Sequence, residues 1–208
     1  MKKLELALIL GMAATICFSS LKETSYAHKE LEENVLRLHI LANSDSIDDQ
    51  ALKLKVRDRV LAYAKEIFGN PGDTLEQVES YLTDHLRELE EQAEDVVAEE
   101  GYSYDVTAQI VEMPFEDRTY GDLTMPAGEY DALRITIGEA KGQNWWCVMY
   151  PALCVPSACE TEEDRDVLET SFSEVQQDLL QHPQQYRVKL KCVEWAKNCV
   201  DKICGRLF

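Results

Sequence analysis

Between residues 43 and 57 the chain places Asn43, Ser44, Asp45, Asp49, Lys53 and Arg57: an amide, a hydroxyl, two carboxylates and two cations spaced for catalysis or for recognition. A nucleophilic Ser44 needs a base to take its proton, and no evident histidine and aspartate accompany it. Asp45 and Asp49 are instead the carboxylates that a hydrolase would use as acid and base. A structural reading has Arg57 tying the corner together through Asp45, while Lys53 lays its stem on apolar surface and reaches water. A third reading makes Asn43, Ser44, Asp45, Lys53 and Arg57 part of a surface that a partner protein recognises.

Other reactive types are scattered. Cys147 and Cys154 flank Val148-Met149-Tyr150-Pro151-Ala152-Leu153, where a bend at Pro151 brings the ends of a short loop together. A bridge there would lower the entropy of the unfolded chain by about 2–3 kcal/mol, and two buried thiols are the alternative. Cys192 and Cys199 stand about 10 Å apart along a straight helix, beyond disulfide reach. Either one of Cys192, Cys199 and Cys204 pairs with Cys159, or they fill apolar space. His39, His85 and His182 fall in no paired ligand motif, so no metal and no cofactor is expected. His39 reads as a core or edge residue of a strand, and His85 as lying on the polar side of a helix. Trp145 and Trp146 point to opposite strand faces, which predicts one core indole and one exposed anchor for a partner. The acidic run from Glu88 to Glu100 reads as a solvated helix face.

These groups need elements to hold them. Val35–Leu41 alternates as a strand, and Ser44 or Asp45 is placed to cap the helix that follows, from about Ile47 to Phe68. On that helix Lys53 and Arg57 fall inside an otherwise apolar arc, so they require carboxylates or a binding surface. Gly69-Asn70-Pro71-Gly72 ends it, and Asp73 or Thr74 opens a second helix closed by Gly101. Tyr104–Val111, Tyr130–Ile137 and Trp145–Tyr150 read as strands, with a loop through Pro114, Gly121, Pro126 and Gly128 between the first two. Asp164–Leu180 is either a helix or a mobile excursion, and Tyr186–Phe208 begins extended and becomes a helix. The class is α+β: a mixed or largely antiparallel sheet, with a helical hairpin and a C-terminal helix packed on one face.

A chain of 208 residues suffices for one domain with a real core. Lys2-Lys3, the apolar stretch Leu4–Phe18 and the ending Ser25-Tyr26-Ala27 read as an export signal, residues 1–27, cut after Ala27. Residues 28–208 then form the single α+β domain. Left uncut, the signal would be an N-terminal anchor, since the run falls short of the roughly 20 apolar residues of a spanning helix. Removing it takes three of 21 basic and two of 39 acidic residues, leaving 18 minus 37, or −19. Such a charge disfavours nucleic acid and anionic membrane surfaces as partners. The six cysteines that remain are even in number, which permits disulfides in an exported chain without giving their pairing.

The stretch Asn43-Ser44-Asp45-Ser46 with Asp49-Gln50-Ala51-Leu52-Lys53-Leu54-Lys55-Val56-Arg57-Asp58 resembles the signature of the stage II sporulation protein R family. Residues 144–155, NWWCVMYPALCV, are similar to that family's tryptophan and cysteine block, and Val193-Glu194-Trp195 fits its ending. The resemblance implies a signalling protein of endospore-forming bacteria, not an enzyme. It also implies export from the forespore into the space between the septal membranes. There the protein would activate a membrane-embedded aspartic-type protease of the mother cell, which matures the precursor of sporulation sigma factor E. No small-molecule substrate is implied. The rivals are an exported hydrolase working through Asp45 and Asp49, and a structural protein of the spore envelope.

Overall fold

Leu36, Leu38 and Ile40 alternate with Arg37 and His39, yet every one of the five is buried, because this strand runs through the middle of a sheet. The computed structural model describes residues 24–67, 74–120, 123–151 and 172–183, together with residues 15, 22 and 186. Helix α1 (24–34) passes continuously through Ala27 and leads into β1 (Leu36–Leu41). Then come α2 (Ile47–Ile67), α3 (Leu75–Asp84), α4 (Leu86–Glu99), β2 (Val106–Phe115), β3 (Arg118–Tyr120), β4 (Leu123–Met125), β5 (Gly128–Ile137), β6 (Asn144–Tyr150) and α5 (Glu174–Gln181). The main sheet has the order β2-β5-β1-β6, with β1 parallel to β5 and antiparallel to β6, and β2 antiparallel to β5. The fold is therefore α+β with a mixed sheet. The expected Cys154, Cys159, Cys192, Cys199 and Cys204, most of the export signal, and the C-terminal helix lie outside the described residues.

The helical hairpin of α2 against α3 and α4 covers one sheet face. Val56 and Val60 of α2, Leu82 of α3 and Leu89 of α4 close on Leu38, Ile40, Leu133 and Ile135. Helices were expected on this face alone, and the structure corrects that. Leu31 of α1 and Leu179 and Leu180 of α5 join Phe115, Met125, Tyr130 and Val148 in a second apolar cluster. β1 is central, so both of its faces need cover. Its polar-looking alternation hides this, because Arg37 spends its charge on neighbours inside the protein. The guanidinium lies over Phe115 (4.4 Å) and Tyr130 (5.2 Å), and donates to the Tyr120 hydroxyl (3.0 Å) and the Cys147 carbonyl (3.3 Å). Burial lowers its pKa.

Other details also differ from expectation or refine it. The second helical limb breaks at His85, whose φ of −113° and ψ of 15° leave the helix; its N–H bonds back to Tyr81 and Leu82, and its ring binds the Tyr81 carbonyl. Pro114, expected in a loop, sits within β2, where an edge strand tolerates a missing N–H. The same expected loop holds the small β3–β4 sheet. Of the segment 164–180, the described residues form the helix α5, with Ser173 and Gln176 making a reciprocal N-cap, and residues 164–171 lie outside the described residues.

Between α3 and the sheet, Glu79 faces Asp131 of β5. Burial first, and then the Asp131 carboxylate, push its pKa up to about 7. The folded protein thus keeps a proton that the unfolded chain has released near its ordinary value of 4.5. Stability is greatest below that value and falls as pH rises through 7. Glu79→Gln is expected to flatten this fall, with little change in the urea midpoint at pH 5 and a gain at pH 8.

Candidate functional site: the β1–α2 corner

β5 and β6 follow each other in sequence, but β1 lies between them in the sheet. Their connection, residues 138–143, must cross the end of β1 where the chain turns into α2. Its amides need acceptors there, and the corner supplies them. Glu139 N–H donates to Asn43 Oδ1 (2.9 Å), Lys141 N–H to the Asn43 carbonyl (3.1 Å), Gly142 N–H to the Ala42 carbonyl (2.9 Å) and Gln143 N–H to Asp45 Oδ1 (2.7 Å). The approach is so close that a Cβ at Gly142 would collide with the Ser44 carbonyl, and one at Gly138, φ +57°, with the Asn43 amide.

Asp49 organises the underside. It is 4% exposed, and its Oδ2 accepts from Ser44 Oγ (2.5 Å) and Asn43 Nδ2 (2.9 Å). Burial would raise its pKa, but the bonds from Ser44, Asn43, Tyr104 and Ser46 together hold the carboxyl below its usual value. Tyr104 is correspondingly raised, by burial and then by that bond. The helix cap is neither Ser44 nor Asp45 but Ser46, whose Oγ accepts the Asp49 N–H (3.1 Å). Ser44 is taken by Asp49 because its hydroxyl is the nearer donor to a buried carboxylate.

The structure corrects both cation expectations. Lys53 does not reach water: it is 4% exposed, and its ammonium donates to Gln50 Oε1 (2.6 Å) and the Gln143 carbonyl (2.8 Å). Burial lowers its pKa, which Asp45 partly opposes. Arg57 does not bind Asp45, which Gln143 occupies. It pairs with Asp58 (2.6 Å) and lies 4.3 Å over the Trp145 ring. The two indoles also depart from the expected core and anchor. Each is half-buried: Trp145 under Arg57, and Trp146 on the opposite face stacked on His39 at 4.0 Å. Cys147 is buried and disulfide-bonded.

Asn43, Ser44, Asp45 and Lys53 thus converge, while Arg57 and Trp145 form a neighbouring pair and Trp146 stands apart. Chemically, Ser44 donates its proton to a carboxylate held ionised, a poor arrangement for a base that must take up that proton. Among the described residues no cluster of three or more His, Cys, Asp or Glu is disposed to hold a metal ion, and no helix is long and apolar enough to cross a membrane. Sequence reasoning missed Gln50, Tyr104, Gly138, Gly142 and Gln143. The glycine pair in Gly138-Glu139-Ala140-Lys141-Gly142, set between two strands, was the signal for a close crossing.

Fold and corner together define a class of α+β protein in which a strand–helix junction is stitched beneath a sheet crossover. The family profile described as stage II sporulation protein R matches residues 32–160, which span β1 to β6. Stage II sporulation protein R of Bacillus subtilis (strain 168) is 33% identical over 156 residues, 72% of this chain and 68% of that protein. The chain belongs to the stage II sporulation protein R family, and is by that membership a sporulation signalling protein. No solved structure matches it significantly.

Because the folded Asp49 carboxyl is held below its ordinary value, its contribution to stability is present above pH ~4 and is lost as pH falls through the folded value. Asp49→Asn is expected to cost about 1–3 kcal/mol at pH 7, since an amide cannot accept from every donor around it. The gap between the two proteins in urea unfolding narrows below pH 4.

Proposed function

We propose that this sporulation protein is an exported signal, made in the forespore and delivered between the septal membranes, that activates a membrane-embedded aspartic-type protease of the mother cell and so leads to maturation of the sigma factor E precursor. The family match over residues 32–160 carries this reading. The export signal, residues 1–27, and closure of a Cys147–Cys154 bridge after export belong to it. To activate, the protein must bind the active arrangement of the protease more tightly than the inactive one; equal binding to both shifts nothing.

Within this reading Asn43, Ser44, Asp45 and Lys53 are the frame and not the contact, because their polar atoms are engaged internally. The frame fixes α2 so that its outer edge faces outward. Ile47 is 86% exposed, Leu54 is half-covered, and Arg57 lies on Trp145, whose indole N–H has no partner among the described residues. An aromatic ring under an arginine is a type of group that dominates protein interfaces. The hydrolase reading finds less support, since Asp45 is held by Gln143 N–H and Asp49 is hydrogen-bonded by its neighbours.

The test is cleavage of the sigma-factor precursor in cells that contain the membrane protease, with and without this protein carrying its own signal. Cleavage is expected to require the protein. Arg57→Ala and Trp145→Ala are each expected to lower it about tenfold, equivalent to ~1.4 kcal/mol of lost binding, with folding intact. Cleavage without the protein would contradict the function, and full cleavage with both variants would contradict the surface.

A further inference from the structure

Among the described residues the second sheet face is only partly covered. Its apolar cluster ends at Phe115, Tyr130 and Ala132, and beyond these stand exposed Gln109 and Thr107, with Arg134 and Thr136 half-covered. Trp146 lies at this boundary, in a T-shaped contact with Phe115 (4.8 Å) and with its plane stacked on His39. Arg118 reaches over the same indole at 5.8 Å, and Arg134 neighbours His39 in the β1–β5 register.

With 39 acidic and 21 basic residues, the chain has carboxylates in excess. Lys29, Lys55, Arg57, Arg59, Arg87 and Lys141 pair with carboxylates, while the exposed Lys65 and the buried Arg37 and Lys53 pair with none among the described residues. Arg118 and Arg134 form no ion pair among the described residues, although Asp117 is adjacent in sequence; its Oδ1 accepts the Ala127 N–H instead. Arg134 Nε and His39 Nδ1 are both buried without a hydrogen-bond partner among the described residues, and His39 is only 4% exposed. A half-buried arginine with an unmet donor on one side of the Trp146–His39 stack, and a second arginine without an ion pair among the described residues over its indole, are complementary to carboxylates presented from outside.

We propose that this face, built on Arg118, Arg134, His39 and Trp146, is a docking site for an acidic polypeptide segment of a partner protein. The carboxylates pair with the two arginines, while the segment's backbone and apolar groups lie on the indole. A polyanionic surface such as a lipid bilayer or nucleic acid meets the whole negative chain, whereas a segment of a few residues meets only the patch. The site lies on the face opposite Trp145 and does not depend on protease activation.

The full chain is titrated with a capped peptide of eight glutamates at about 50 mM salt, where surface charges are weakly screened, and followed by tryptophan fluorescence and calorimetry. Saturable binding is expected, weakened at least about tenfold in the Arg118→Glu, Arg134→Glu double variant and kept within about threefold in the double lysine variant. Trp146→Phe is expected to remove the fluorescence change. Should the double reversal fail to fold, Arg118→Glu alone decides, because that side chain is exposed; it is expected to weaken binding at least about threefold. No saturable binding, equal binding by the folded charge-reversed protein, or preferred binding to phosphatidylglycerol vesicles would overturn the proposal. Loss of the site with precursor cleavage intact would leave the proposed function standing, and the converse result would leave the site standing.

Discussion

The connection from β5 to β6 must cross β1 at the point where the chain leaves it, and the rest of the corner follows from that constraint. A crossover over a strand end brings its amides against the chain below, where they need acceptors, and unmet donors are costly. Asn43 and Asp45 accept two of them, the carbonyls of Ala42 and Asn43 accept two more, and glycine at 138 and 142 lets the backbones meet. Asp49 in turn holds Asn43 and Ser44 in the required orientation. The same stitching covers Lys53, so a cation that would otherwise extend to solvent ends on Gln50 and the Gln143 carbonyl.

This arrangement separates a rigid frame from the groups that remain available. The polar residues most suggestive of chemistry satisfy each other. What they orient is α2, and with it the Arg57–Trp145 pair beside Ile47. On the other side of the sheet the buried Arg37 is met by aromatic faces and neutral oxygens, not by a carboxylate, while Arg118 and Arg134 form no ion pair among the described residues. In so acidic a chain, the position of cations without counter-charges is informative about what the surface is prepared to meet.

Periodicity made α2, β1, β5 and the α+β class legible, because each depends on local patterning of apolar residues. Thr74 was legible as a cap for the same local reason, its partner Gln77 being three residues away. The Ser46 cap and the break at His85 were missed locally, and the other failures are long-range. Arg37 looks like a solvent-facing position of an alternating strand until the sheet order makes β1 central, whereas His39, read as a core or edge residue, is buried. Pro114 looks like a strand breaker until β2 proves to be an edge. Arg57 and Asp45 were near enough in sequence to be paired on paper, but Gln143, 98 residues from Asp45, takes the carboxylate first. The candidate residues were thus found by type, whereas their partners were set by topology.

The family signature around Asn43 to Asp58 reads, in this light, as a record of the crossover as much as of any partner. The most direct measurement is amide hydrogen exchange at Glu139, Lys141, Gly142 and Gln143. A locked corner predicts protection at these loop amides close to that of β1, lost together when Asp49 is replaced. Exchange at the rate of an open surface loop would contradict it, and would mean that the corner is not stitched to the crossover.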